Sequence, residues 1–269
     1  MNIYSSVKGK DLTESFKYGS DGIGLISTEF LFMEFPDVSY EMQYQILDSM
    51  FSQYPNKEFT IRLFDITDDK KPVWFSKNHS NNLYSSRGID LMLEPINYLR
   101  LQHQIEAILD LSKKYNVSIL IPFVNNYKVI YAVKDLIEKE NKSNRIKVGV
   151  MIETVAAALE INEIINIVDF ISIGTNDLVQ SYFGIDRRNI DDIARVNVNS
   201  SSFLEFIKMI YSKSKGTKLR ICGQLPIVPN MIEKLVQIGY NDYTVNPYWI
   251  PFLRWSINNN NNTNILSDC

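Results

Sequence analysis

The sequence predicts a single (β/α)8 barrel, and three observations point there. Short apolar runs alternate with amphipathic segments along the whole chain; there are eight such runs in about 250 residues, the arithmetic of this barrel; and no Gly-, Pro- or Ser-rich linker or repeat of about 20–50 residues divides the chain. A doubly wound open sheet is the alternative, because alternation alone does not close a barrel.

In order, the expected strands are Ile3–Tyr4, Gly22–Ile26, Phe59–Leu63, Ser118–Ile121, Lys147–Ile152, Phe170–Ile173, Leu219–Cys222 and Tyr243–Val245. Each is a short run suited to a strand buried on both faces. Helical periodicity falls between them, at Tyr98–Tyr115, Tyr127–Lys139, Val155–Ile167, Phe203–Lys213 and Asn230–Ile238. Pro122 and Pro247 stand just past strands, and Pro229 stands where a helix begins. The segment Asp65–Arg87 is long and polar, as functional loops often are. The barrel is expected over residues 1–257, followed by an Asn-rich tail, 258–269, expected to be disordered.

Composition narrows the function. The 269 residues carry a net charge of −3, 45% hydrophobic and 22% charged residues, an ordinary globular balance with no basic arm for nucleic acid. Two cysteines, Cys222 and Cys269, make no disulfide framework. No apolar run reaches the roughly 18 residues of a membrane span, and no signal peptide is evident, so a cytoplasmic location without membrane contact is expected. Two histidines, His79 and His103, argue against a site built from several imidazoles.

In a barrel of this kind the chemistry sits just past the strands' C-terminal ends. Arg62 ends the third strand, followed by Asp65 and Lys70; Glu153 follows the fifth, Asn176 and Asp177 the sixth, and Cys222 ends the seventh. Glu153 and Asp177, on adjacent strands, suit a shared Mg²⁺ or Mn²⁺ with sites left for water and substrate oxygens. Arg62, Arg87 and Arg187 offer paired donors for phosphate or carboxylate. Cys222 brings a titratable thiol to the same rim. Taken singly, each has a plainer role: Thr175, Asn176 and Asp177 as helix caps, a strand-end cysteine as a small apolar residue, a lone arginine as a surface ion pair. Only their convergence argues for a site.

Several segments then carry a resemblance. GIGLISTEFLFME (Gly22–Glu34), RLFDITDDK (Arg62–Lys70), VGVMIET (Val148–Thr154), DFISIGTNDLVQ (Asp169–Gln180), DRRN (Asp186–Asn189) and CGQL (Cys222–Leu225) occur in this order. They resemble the C-terminal phosphoenolpyruvate-binding barrel of enzyme I of the bacterial phosphotransferase system, shared with phosphoenolpyruvate synthase and pyruvate phosphate dikinase. The similarity runs to about Arg254. It implies Mg²⁺-phosphoenolpyruvate as ligand and transfer of the phosphoryl group to a histidine on a separate swivelling domain. It implies Glu153 and Asp177 as metal ligands, and Arg62, Arg87, Asn176, Asp177, Arg187 and Lys70 as substrate contacts. Cys222 then protonates the enolate carbon, with Arg62 and Arg187 assisting the reaction. A homodimer is also expected.

The departures are specific. Ser27 stands where the family pattern GLLRTEF has arginine; Thr67-Asp68-Asp69-Lys70 replaces Gly-Gly-Asp-Lys; Ser85 replaces the glycine of a Gly-Trp-Arg segment. CGELAGD has become CGQLPIVP, with Gln224 for a carboxylate. Neither histidine has a phosphohistidine context. Two readings follow from different classes. One is an Mg²⁺-dependent enzyme acting on phosphoenolpyruvate or a related 2-oxo acid, passing phosphate to a separate phosphohistidine protein or carrying out other enolate chemistry. The other is a catalytically weakened sensor or regulatory subunit that binds phosphoenolpyruvate or pyruvate.

Overall fold

The structure is a computed structural model that describes residues 1–67, 71–75, 87–140, 146–186 and 189–266. Eight strands form its centre: β1 (Asn2–Val7), β2 (Ile23–Ser27), β3 (Glu58–Arg62), β4 (Asn116–Ile121), β5 (Lys147–Ile152), β6 (Phe170–Gly174), β7 (Lys218–Cys222) and β8 (Asp242–Val245). Each pairs in parallel with the next, and β8 pairs with β1, so the sheet is a closed barrel and the open-sheet alternative is excluded.

The strands fall where the apolar runs predicted, with one instructive difference. β1 is longer than Ile3–Tyr4 because Ser5 and Ser6 continue it: Ser5 is buried and Ser6 lines the cavity at the barrel mouth. A barrel lumen accepts polar side chains, so an apolar-run count stops short there.

Two apolar clusters hold the fold. The larger lies between strands and helices and runs from Ile3 to Ile257. The smaller joins Leu25, Leu120, Met151, Phe170 and Cys222, one residue from each of five strands, and fills the lumen below the mouth. Two residues earlier on β7, Arg220 lies 3.6 Å over the Tyr4 ring and 3.0 Å from Glu58. A buried guanidinium is tolerated only with such partners.

The helix Pro95–Ser112 starts with its proline in the first turn, where a missing N–H costs nothing. Ser39, Thr154 and Ser200 each accept an N–H from the first turn of the helix they precede. The expected helix Val155–Ile167 is two short ones, Val155–Leu159 and Ile161–Ile164. The break falls at Glu160, whose Oε2 accepts the Tyr127 N–H at 2.9 Å and ties the loop after β4 to this turn. The Asn-rich stretch after Ile257, expected to be disordered, continues the helix Ile250–Leu266. That helix is anchored by buried Ile250, Leu253 and Ile257. Among the described residues, no helix is long and apolar enough to cross a membrane.

Candidate active site

Register brings the rim residues together. β5 pairs Ile152 with Ile173 of β6, and β6 pairs Gly174 with Cys222 of β7. Glu153 and Cys222 therefore flank the tip of β6, and the helix Thr175–Phe183 starts there with Asn176 and Asp177 in its first turn. A cavity of about 800 Å³ opens over this mouth; Ser27, Arg62, Glu153, Asn176, Asp177 and Cys222 all line it. The absence of a side chain at Gly174 makes the room, since a Cβ there would stand 2.5 Å from Glu153 Cγ and 2.7 Å from its Oε1.

Arg62 is the hub. It is 5% exposed, pairs with Glu29, and places Nη1 3.2 Å from Asp65 Oδ2 and 3.8 Å from Glu153 Oε1. Burial works against its charge, but Glu29, Asp65, Glu153 and Asp177 more than offset this and hold the guanidinium protonated. Arg87 stands 3.0 Å from Asp177 Oδ1 and 3.4 Å from Asp65 Oδ2, with its guanidinium 4.0 Å over the Phe123 ring.

Glu153 is held from the other side by the Phe123 N–H, which donates to its Oε2 at 2.8 Å. Burial first, then repulsion from Asp177 and Asp65, pushes its carboxyl up to about 7. Burial likewise pushes the Cys222 thiol up to about 12, so it keeps its proton at neutral pH. Asn176 is fixed by its Oδ1, which accepts the Gln224 N–H at 3.1 Å, leaving its amide nitrogen as the donor end. Thr175 donates to the Cys222 carbonyl at 2.9 Å, joining the tips of β6 and β7.

Four carboxylates thus meet two guanidiniums among the described residues: Glu29, Asp65, Glu153 and Asp177 against Arg62 and Arg87. Fully ionised, these six groups leave two surplus negative charges; the raised Glu153 carboxyl reflects its burial first and the repulsion from Asp177 and Asp65 second. No group of three or more His, Cys, Asp or Glu ligands gathers among the described residues. Glu153 and Asp177 both line the cavity, and carboxylate oxygens are the donor type that suits a hard divalent ion completing its shell with water and ligand oxygens.

Of the residues predicted from sequence, Arg62, Glu153, Asn176, Asp177 and Cys222 line this one cavity, and Arg87 joins them through its pair with Asp177. Lys70 and Arg187 lie outside the described residues, as do His79 and Ser85. Sequence reasoning missed three contributors. Lys8, just past β1, lines the cavity and sits 4.6 Å over the Phe30 ring; its place after a strand was the available signal. Gln104 is fully buried on its helix, donating to Thr28 Oγ1 at 3.0 Å and accepting the Phe64 N–H at 3.0 Å. Thr28 in turn donates to the Arg62 carbonyl at 2.8 Å, so this amide locks the loops after β2 and β3. Phe123 is the third, and nothing in its apolar identity announced a role.

Known proteins are similar at two levels. Phosphoenolpyruvate-protein phosphotransferase of Mycoplasma pneumoniae is 30% identical over 249 residues, 88% of this chain and 42% of that one. The protein of the same name from Buchnera aphidicola subsp. Acyrthosiphon pisum is 31% identical over 261 residues, 91% of this chain and 45% of that one. The chain thus spans less than half the length of these relatives. Among solved structures, an HpcH/HpaI aldolase/citrate lyase family protein from Burkholderia cenocepacia superposes with a TM-score of 0.57 at 12% identity, covering 98% of this chain and 94% of that one. Macrophomate synthase superposes with a TM-score of 0.55 at 10% identity, covering 99% and 85%. These two show the fold alone. The model of the PEP-utilising enzyme, PEP-binding domain matches residues 1–262, and the chain belongs to that family.

Proposed function

We propose that this barrel binds phosphoenolpyruvate, or a related 2-oxo acid, together with Mg²⁺ or Mn²⁺, and that it passes the phosphoryl group to a histidine on a separate protein. The observation that carries this reading is the convergence of Glu153, Asp177, Arg62, Asn176 and Cys222 on one cavity, two carboxylates beside a guanidinium, an amide and a thiol. Glu153 and Asp177 repel an anionic ligand that approaches them directly, and a divalent cation between them would offset that repulsion.

Glu153 and Asp177 would hold the metal, which would supply neutralisation of charge on phosphate and enolate oxygens. Arg62 and Asn176 orient the substrate, and Arg87, released from Asp177, turns to phosphate. In the transfer, the P–O bond to the enol breaks as the bond to the imidazole nitrogen forms, leaving the enolate. Cys222, protonated by virtue of its burial, gives its proton to the methylene carbon and yields pyruvate; the thiolate recovers a proton from water. Arg187 and Lys70 complete the phosphate and carboxylate contacts in this reading. The product, pyruvate, is measured with Mg²⁺ and phosphoenolpyruvate, with and without a phosphohistidine-domain acceptor. Acceptor-dependent pyruvate, lost in Cys222→Ala, is the expected result; no turnover with any acceptor argues against the transferase.

Ser27 favours a second reading. It lines the cavity where the family pattern has arginine, which suits a barrel that binds its ligand as a sensor or regulatory subunit without turnover. Metal-dependent binding with no pyruvate under any condition distinguishes it.

A further inference from the structure

We infer that Phe123 is a positioning residue that sets the metal-binding carboxylate and the phosphate-facing guanidinium at once; this rests on the proposed function. Phe123 follows β4 with φ +45°, a left-handed conformation that a side-chain-bearing residue adopts only under constraint. That conformation aims two different parts of one residue at the site. Its N–H donates to Glu153 Oε2 at 2.8 Å, while its ring lies 4.0 Å beneath the Arg87 guanidinium.

Both contacts are built tightly. Glu153 is confined by the Phe123 amide on one side and by the bare tip of β6 on the other, leaving Oε1 directed toward Arg62 at 3.8 Å. Arg87 is followed by Gly88, itself at φ +61°, where a Cβ would stand 2.5 Å from Phe123 Cβ. The chain can pass so close to Phe123 only because that position is glycine. Arg87 then sits over the ring with its nitrogens directed to Asp177 and Asp65. A strained residue that touches both groups thus fixes the spacing of the carboxylate and the guanidinium that hold opposite charges of a metal-bound anion.

The test compares Phe123→Gly and Phe123→Tyr in the full chain. Glycine keeps the N–H and relieves the left-handed strain, so the fold is retained or stabilised while the ring is lost; tyrosine keeps the ring. Calorimetry with Mn²⁺ alone, then with phosphoenolpyruvate in saturating Mn²⁺, is expected to show unchanged Mn²⁺ affinity in both variants. Phosphoenolpyruvate binding weakens roughly five- to thirtyfold in Phe123→Gly only, the range of a desolvated cation–π contact. In the ligand-free protein, amide exchange over Arg87–Met92 accelerates in Phe123→Gly and stays at the wild-type rate in Phe123→Tyr. Wild-type phosphoenolpyruvate affinity in Phe123→Gly, equal weakening in both variants, or wild-type exchange in Phe123→Gly overturns the inference. If the wild type binds no phosphoenolpyruvate, the functional reading fails and the exchange comparison alone decides the role of Phe123.

Discussion

Arg87 Nη1 lies 3.0 Å from Asp177 Oδ1, so the guanidinium that the proposed function assigns to the substrate pairs with the carboxylate that it assigns to the metal. Under the proposed function, binding exchanges this pair for two others: Asp177 with the metal, Arg87 with the anion. Metal and anion are then coupled, and each should raise the affinity for the other by the same factor.

Asp177→Asn tests that exchange. It removes the charge that serves both partners, and Mn²⁺ affinity should fall by at least about tenfold, the lower end of the cost of disturbing a metal's surroundings. Mn²⁺ titration followed by electron paramagnetic resonance reads this directly; affinity equal to the wild type would remove Asp177 from the metal site.

Gly174→Ala should close the site without unfolding the barrel. The backbone at φ −83° accepts any residue, but the new methyl would stand 2.5 Å from Glu153 Cγ. Overpacking of this sort costs about 1–3 kcal/mol. A lowered Tm with loss of Mn²⁺ binding is expected, whereas full Mn²⁺ binding would show that Glu153 has somewhere else to go.

The pH dependence follows from Glu153. Burial, then Asp177 and Asp65, raise its folded pKa from an ordinary 4.5 to about 7. A raised folded value means that the stabilising contribution is present below 4.5 and is lost as pH rises toward 7. Metal binding needs the ionised form, so it releases a proton in the same window. Mn²⁺ affinity should therefore climb with pH to about 7 and level off above it, and Glu153→Gln should abolish this climb. A pH-independent affinity from 5.5 to 8, as approximate limits of the titration, contradicts the assignment.

Much of this site was legible because a barrel converts sequence position into spatial position. Any polar residue directly after an apolar run faces the same mouth, so Arg62, Glu153, Asp177 and Cys222 could be gathered from the chain alone. The network among them was not legible. Glu29 and Asp65 follow strands and so fall on the same rim, but their pairing with Arg62 in the interior could not be read from position. Gln104 lies on a helix, where pattern assigns it to a face but not to a hydrogen bond between two distant loops. Phe123 acts through its backbone conformation and its ring face, properties that its apolar identity does not encode. In the same way Ser5 hid half of β1, because a lumen position may be polar in a strand that is otherwise apolar.

Cys222 carries two expectations that separate structure from mechanism. Its thiol is 4% exposed and pushed up to about 12, so alkylation by iodoacetamide at pH 8 should be far slower than for a free cysteine. Cys222→Ala should leave phosphoenolpyruvate binding intact while pyruvate formation drops about a hundredfold or more, as for loss of a general acid. Fast alkylation would mean that the mouth opens more widely than this geometry allows.

Ser27→Arg restores the side chain of the family pattern at a position already lining the cavity. A regained charge-assisted contact is worth about 1.5–3 kcal/mol, roughly ten- to a hundredfold in affinity for phosphoenolpyruvate. Gain of pyruvate formation in this variant alone would favour the sensor reading of the native chain.

The most direct measurement is calorimetric titration of the full chain with phosphoenolpyruvate, with and without Mn²⁺. The account predicts saturable binding that requires Mn²⁺ and disappears in Glu153→Gln; binding that ignores the metal, or no binding at millimolar ligand, contradicts it.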